Sequence, residues 1–241
     1  MKQDNFWKLN PTTMYNDINY LYLRDHKTFD GLTKDQLYEV LRHTKFTRKR
    51  KSDLIRLSEN QTPKFYFLIK GKVKIAEMDR MGNSLIREVE KEGGIFGNFG
   101  TNEGINYEYA QALTNEVVYF YIDCSDFDRL CTSIPRLALN LSASISDKLK
   151  KSQIRYSHLV FKDVKSRLVY FFKFWAMEEG LQDGDSIVIK NYLTHNDIAE
   201  IISTCRQTVT SILNDLKSNG LISYTRKEIV ISDIATLEPA A

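Results

Sequence analysis

Residues 193–233 constrain the fold more than any other part of the chain. They hold two short amphipathic patterns separated by a polar pair, followed by two alternating runs. Thr194 with Asp197 three positions later predicts a helix start of capping-box type, with Asp in place of the usual Glu or Gln. Ile198, Ile201 and Ile202 fall on one face of that helix. Ser203 and Thr204 break the pattern where a second N-cap is needed, and a second helix is predicted from about Cys205. In it Val209, Ile212, Leu213 and Leu216 share one face and must pack inward. Arg206, Gln207, Thr210, Ser211 and Asn214 share the other. Asn219–Gly220 ends the helix with a residue able to take positive φ. The alternation of 221–224, the polar Thr225-Arg226-Lys227 tip and the run 229–231 then predict a β-hairpin.

The outward face offers a guanidinium, two carboxamides and two hydroxyls, and it carries neither an acid nor a large apolar group. Those groups suit base edges in a major groove, Arg206 on guanine O6/N7 and Gln207 on an adenine edge, each worth about 1–3 kcal/mol of discrimination. The hairpin tip suits a phosphate backbone. The candidate DNA-contacting set is therefore Arg206, Gln207, Thr208, Thr210, Ser211, Lys217, Arg226 and Lys227. A small helical subdomain whose polar face meets only water would show the same periodicity. Residues 162–241 hold nine Lys/Arg against eleven Asp/Glu, which argues against binding by bulk charge and requires a local positive surface from Arg206, Lys217, Arg226 and Lys227.

Upstream, residues 1–30 are aromatic and polar and predict a helical lead-in that packs on the next domain. LTKDQLYEVLRHTKF predicts an amphipathic helix with Leu37, Val40 and Leu41 inward. The charged run 45–51 is expected to be a solvated turn before a strand. From 53 to 122 short strands recur between turn signals at Gly71, Met81–Gly82–Asn83 and Gly93–Gly94, the pattern of a small sandwich or roll. A long helix follows from about Ser133, with Pro135 in its first turn and Leu137, Leu141, Ile145 and Leu149 recurring every four residues. Such a stripe ordinarily packs on its own domain. FKDVKSRLVYFFKFWAMEEG predicts a further helix with Val164, Leu168, Phe171, Phe172 and Trp175 as its apolar face, then a Gly-Asp turn and a strand, SIVIKNYLT. The fold class is α+β.

DIAEIISTCRQTVTSILNDLKSNGLI resembles the winged helix-turn-helix of the Crp/Fnr family of bacterial transcription regulators. FYFLIKGKVKIAE and GGIFGNFG resemble the central hairpin and phosphate-binding turn of the family's cyclic-nucleotide-binding β-roll. The resemblance implies an N-terminal extension over 1–30, a jelly-roll-like sensor domain over 31–133, a dimerisation helix and hinge over 134–161, and a DNA-binding domain over 162–241. It implies a homodimer paired through Leu137, Leu141, Ile145 and Leu149, a two-fold symmetric DNA site, and RNA polymerase as a partner. The family's common reader set is Arg, Glu and a second Arg; here Gln207 and Ser211 stand second and third, so the operator is expected to differ.

The sensor residues depart from the family pattern. Between the flanking Gly97 and Gly100, Asn98 stands where a Glu takes the ribose. Glu108 stands where an Arg pairs with the cyclic phosphate, and Tyr109 replaces the following Ser. A carboxylate repels a phosphate that a guanidinium would clamp, so cyclic AMP or GMP in the usual pose is not expected. The pocket is then empty, filled by Tyr107 or Tyr109, or open to a different small-molecule effector. Ser152 and Gln153 occupy the positions where the family's nucleotide base meets the long helix.

Cys124, Cys131 and Cys205 form neither a CxxC pair nor a cluster with the four histidines, which predicts no zinc and a reducing cytoplasm. The resemblance ties an iron–sulfur sensor to grouped N-terminal cysteines, which this sequence lacks, so no such cluster is expected. Cys205, at a helix N-terminus beside Arg206, is a candidate thiol sensor. HExxH, GxSxG and Walker motifs are absent, so no catalytic residue is assigned and no enzyme is expected. The N-terminus lacks a signal-peptide core, and no apolar run is long enough to span a membrane. The rival reading is a ligand-binding or thiol-sensing module whose DNA-binding domain is conditional or vestigial.

Overall fold

The computed structural model describes residues 11–57, 63–97 and 107–237. In chain order the elements are α1 (Pro11–Arg24), a 3-10 turn (Lys27–Phe29), α2 (Lys34–Arg42), β1 (Lys45–Arg50), β2 (Leu54–Arg56), β3 (Lys64–Lys70), β4 (Val73–Met78), β5 (Ser84–Glu90), β6 (Ile95–Gly97), β7 (Tyr107–Ala112) and β8 (Glu116–Asp123). There follow α3 (Cys124–Ser133), α4 (Pro135–Phe161), α5 (Val164–Glu179), β9 (Leu181–Asp183), β10 (Ser186–Lys190), α6 (His195–Ile202), α7 (Arg206–Ser218), β11 (Ile222–Tyr224) and β12 (Glu228–Ile231). Two compact units result, Met1–Ile75 with Val89–Lys148, and Ala76–Glu88 with Leu149–Ala241.

Two four-stranded sheets, ordered β1-β8-β3-β6 and β2-β7-β4-β5, build the roll. The alternation in β3 and β8 explains why both faces of these strands are dry. In β3, Phe65 and Phe67 enter one core while Tyr66 and Leu68 enter a second. In β8, Phe120 and Ile122 join the first, and Val117 and Tyr119 join the second. Side chains alternate across a strand, so one apolar run serves two cores. The antiparallel register sets Phe67 against Phe120, whose rings stack at 4.8 Å. Gly71 and Gly97 are forced by close approach: at φ 87° and 137°, an added Cβ would lie 2.3 Å from Glu116 O and 2.3 Å from Lys64 O respectively.

The basic run and one unexpected helix depart from the sequence reading. Residues 45–50 of the basic run are strand β1, paired along its length with β8. Phe46 packs against Phe120 at 5.2 Å while the basic residues face water on a sheet edge, so pairing overrides the solvated turn. The described part of the lead-in packs on the roll as expected, with Leu23 and Phe29 fully buried in the first core. His26, also buried, donates from Nε2 to Gly94 O while its Nδ1 accepts from Thr28 N. Burial holds its pKa down at about 4. Helix α3 was not anticipated; Phe127 and Leu130 anchor it in the same core.

Leu137 belongs to this core at 0% exposure, and Leu141 packs against it. Leu137 has no surface left for a second chain, which removes it from the expected interface, whereas Leu141 remains partly exposed. Ile145 and Leu149 are exposed, with Tyr156 and Leu159 further along the same helix. Among the described residues no helix is long and apolar enough to cross a membrane.

In the second unit α5 buries Leu168, Val169, Phe172, Trp175 and Ala176, and a sheet ordered β11-β12-β10-β9 carries the wing. Phe171, expected on the same face, is half-buried.

Candidate nucleic-acid interface

Helix α6 starts where the sequence predicts. Thr194 Oγ1 accepts from Asp197 N at 3.1 Å, and Asp197 Oδ2 accepts from Thr194 N at 2.8 Å. Asp thus completes a capping box usually closed by Glu or Gln. Ile198, Ala199 and Ile202 are buried beneath it. The turn that follows is not the expected Ser203–Thr204 cap. Ser203 takes a left-handed conformation at φ 56° and ψ 62°, and the N-cap of α7 is Cys205. Thr204 N returns to Ala199 O at 2.9 Å.

Arg167 of α5 holds this corner. Its guanidinium donates to Ile202 O at 2.9 Å, Lys162 O at 3.0 Å and Ser203 O at 3.2 Å. Carbonyls at a helix C-terminus have no partner within the helix, and a cation there satisfies both hydrogen bonding and the dipole. Arg155 of α4 also donates to main-chain carbonyls, those of Ile86 and Arg87 in β5 at 2.6 Å each and of Glu200 in α6 at 3.4 Å. Sequence reasoning missed both residues. Their partners are main-chain carbonyls, which leave no trace in side-chain patterns.

On α7, Val209, Leu213 and Leu216 are buried, and Ile212 is partly buried. Arg206, Gln207, Ser211 and Asn214 are exposed, while Thr208 and Thr210 are half-buried. With Thr210, those four exposed residues line an open hollow of about 540 Å³. Lys217 is exposed in the last turn of the helix. Arg226 and Lys227 are exposed at the wing tip, where Thr225 N bonds to Glu228 O at 2.9 Å. The structure therefore brings Arg206, Gln207, Thr210 and Ser211 together on one face, with Lys217 and the wing pair on the same subdomain.

His195, the first residue of α6, contacts α7 and the wing. Its Nδ1 lies 2.9 Å from Thr210 Oγ1, and its ring lies 5.0 Å from that of Tyr224. Burial, then the Arg206 charge, lowers its pKa. Cys205 is exposed, with Sγ 3.1 Å from Thr208 Oγ1; the hydroxyl stabilises the thiolate and lowers the thiol pKa. Burial raises the pKa of both Cys124 and Cys131.

The expected effector positions fall on separate elements. Gly97 ends β6, and Glu108 and Tyr109 are half-buried on β7. Glu108 O accepts from Leu57 N at 3.2 Å. Ser152 and Gln153 are exposed on α4. Asn98 and Gly100 lie outside the described residues.

Residues 166–240 match the Crp-like helix-turn-helix domain family. The global nitrogen regulator of Nostoc sp. is 28% identical over 175 residues, covering 71% of this chain and 78% of that protein. The cAMP-activated global transcriptional regulator CRP of Pasteurella multocida is 29% identical over 183 residues, 75% of this chain and 86% of that protein. A CooA variant from Carboxydothermus hydrogenoformans superposes with a TM-score of 0.74 at 24% identity, over 89% of this chain and 95% of its own. FixK2 of Bradyrhizobium japonicum follows the same fold, at a TM-score of 0.69 and 18% identity, over 82% and 98% of the two chains. The two curated relatives are transcription regulators rather than enzymes, and together with the Crp-like helix-turn-helix domain at residues 166–240, the roll and the long helix they support a Crp/Fnr-family regulator.

Proposed function

We propose that this regulator reads a two-fold symmetric DNA site as a homodimer, with α7 in the major groove and the wing on the phosphate backbone. The observation that carries the reading is the exposed cluster of Arg206, Gln207, Ser211 and Asn214 around one open hollow, free of acids and of large apolar groups. Arg206 is the guanine reader, Gln207 the adenine reader, and Lys217, Arg226 and Lys227 contact phosphates. Dimerisation runs along α4 through Ile145 and Leu149, extended by Tyr156 and Leu159. RNA polymerase is the partner that the family implies.

The roll does not take cyclic AMP or GMP in the usual pose, although one relative is named as cAMP-activated. Glu108 on β7 offers a carboxylate where a cyclic phosphate needs a cation. Any small-molecule effector then has a different chemistry. Selection from random duplex DNA, with and without cyclic nucleotides, tests both halves. A palindromic site enriched equally in the two arms is expected, and enrichment only with nucleotide would overturn the pocket reading. Arg206→Ala should lose about 1–3 kcal/mol of specificity at one guanine per half-site in competition binding.

A second reading rests on Cys205, exposed beside the recognition face with a lowered thiol pKa. Oxidation there would place a bulky or charged sulfur against the DNA and switch binding off. Equal binding by oxidised and reduced protein would end that reading.

A further inference from the structure

We infer that Thr210 recognises the methyl group of a thymine, and that His195 is the positioning residue that turns it to do so. The inference rests on α7 occupying the major groove as proposed above.

The argument begins with one proton. A threonine hydroxyl has a single hydrogen to donate and lone pairs to accept. Thr210 Oγ1 donates to Arg206 O at 2.9 Å, one turn back along α7. The same oxygen lies 2.9 Å from His195 Nδ1. Both bonds form together only when Nδ1 carries hydrogen and donates to Oγ1, with the hydroxyl proton kept for Arg206 O. Thr210 oxygen is then engaged on both sides, and the atom left uncommitted is the γ-methyl.

His195 is itself held. Its ring packs against Tyr224 of β11 at 5.0 Å, and the Tyr224 hydroxyl accepts from Asn191 Nδ2 at 3.3 Å. The imidazole therefore ties the first helix of the motif to the recognition helix and to the wing. Partial burial and the neighbouring Arg206 charge favour the neutral ring, whose one hydrogen then belongs on Nδ1.

Thr210 lines the outward hollow with Arg206, Gln207, Ser211 and Asn214. Within that polar group it supplies an apolar contact. In a major groove the matching apolar group is the C5-methyl of thymine. Thr210 thus distinguishes thymine from cytosine through the pyrimidine C5 edge, which its exposed polar neighbours are not suited to read.

The test uses the full-length protein and the half-site obtained by selection. Each thymine of one half-site is replaced in turn by deoxyuridine, which lacks only the methyl. One replacement should weaken binding about four-fold, the effect of removing one methyl group from a dry contact. Thr210→Val keeps the methyl and should keep that loss; Thr210→Ser keeps the hydroxyl and should bind the two duplexes equally. His195→Ala should retain the selected half-site but shrink the thymine preference, because Thr210 Oγ1 is then held only by its bond to Arg206 O. A methyl preference retained by Thr210→Ser, or a half-site with no methyl-dependent thymine, would overturn the inference while leaving the DNA-reading assignment intact. An unchanged preference in His195→Ala would remove His195 from it. If the unmodified protein selects no sequence, the DNA-reading assignment fails and this inference fails with it.

Discussion

In the roll, Phe67 and Phe120 stack at 4.8 Å with both rings fully buried, and Phe127 and Phe29 close around them. In the helix-turn-helix, the corner between α6 and α7 is held by two hydrogen bonds from the half-buried Arg167 to the carbonyls of Ile202 and Ser203. The first arrangement depends on strands distant in sequence finding one register. The second depends on polar ends of short helices finding a cation and a cap. A module that must present one face to another molecule has only its other face to bury, here Ile198, Ile202, Val209, Leu213 and Leu216, so hydrogen bonds at its corners add to what that core maintains. The sealed roll has no such restriction.

The largest expected effect comes from emptying the aromatic core. Phe67→Ala should destabilise the roll by about 3–5 kcal/mol, read by denaturant unfolding. A loss below about 1 kcal/mol would mean the core collapses around the gap and the contrast with the helix-turn-helix is false.

Next in size is a pH effect confined to the roll. The unfolded chain takes up a proton at His26 near its ordinary pKa of 6.5, whereas the buried ring resists protonation until about pH 4. The stability that the neutral ring contributes is therefore present above about pH 6.5 and is lost as pH falls toward 4. The loss is up to ~3 kcal/mol. His26→Phe should flatten the pH dependence of the melting temperature across that window. A slope unchanged by the substitution would move the sensitive group elsewhere.

Arg167→Ala should cost about 2 kcal/mol, since it leaves two carbonyls at the end of α6 without their charged donor. Hydrogen exchange sharpens the comparison. Faster exchange in α6 and α7, with amides of β3 and β8 unchanged, is the expected pattern.

Much of this was legible in the sequence because the signals are local. Thr194 and Asp197 are three residues apart, Val209, Leu213 and Leu216 repeat within one helix, and Phe65 to Leu68 alternate within one strand. Each obeys a backbone period that does not depend on the rest of the fold. The charged strand β1 was misread because charge run and strand edge look alike until β8 lies beside it. Leu137 was misread because periodicity marks a helix face without saying which neighbour covers it. Ser203 was misread because a left-handed corner and an N-cap favour the same small polar residues.

By itself the sequence determined most of the element types, though not β1 or α3, together with the polar composition of the recognition face and a carboxylate at Glu108. Those are properties of residue identity and short-range spacing. Only the tertiary structure decided that Leu137 is core, that Arg155 and Arg167 brace the reading module, and that His195 meets Thr210. Each of those depends on bringing together groups from different elements, and a hydrogen bond reaches about 3 Å in space whatever the separation along the chain.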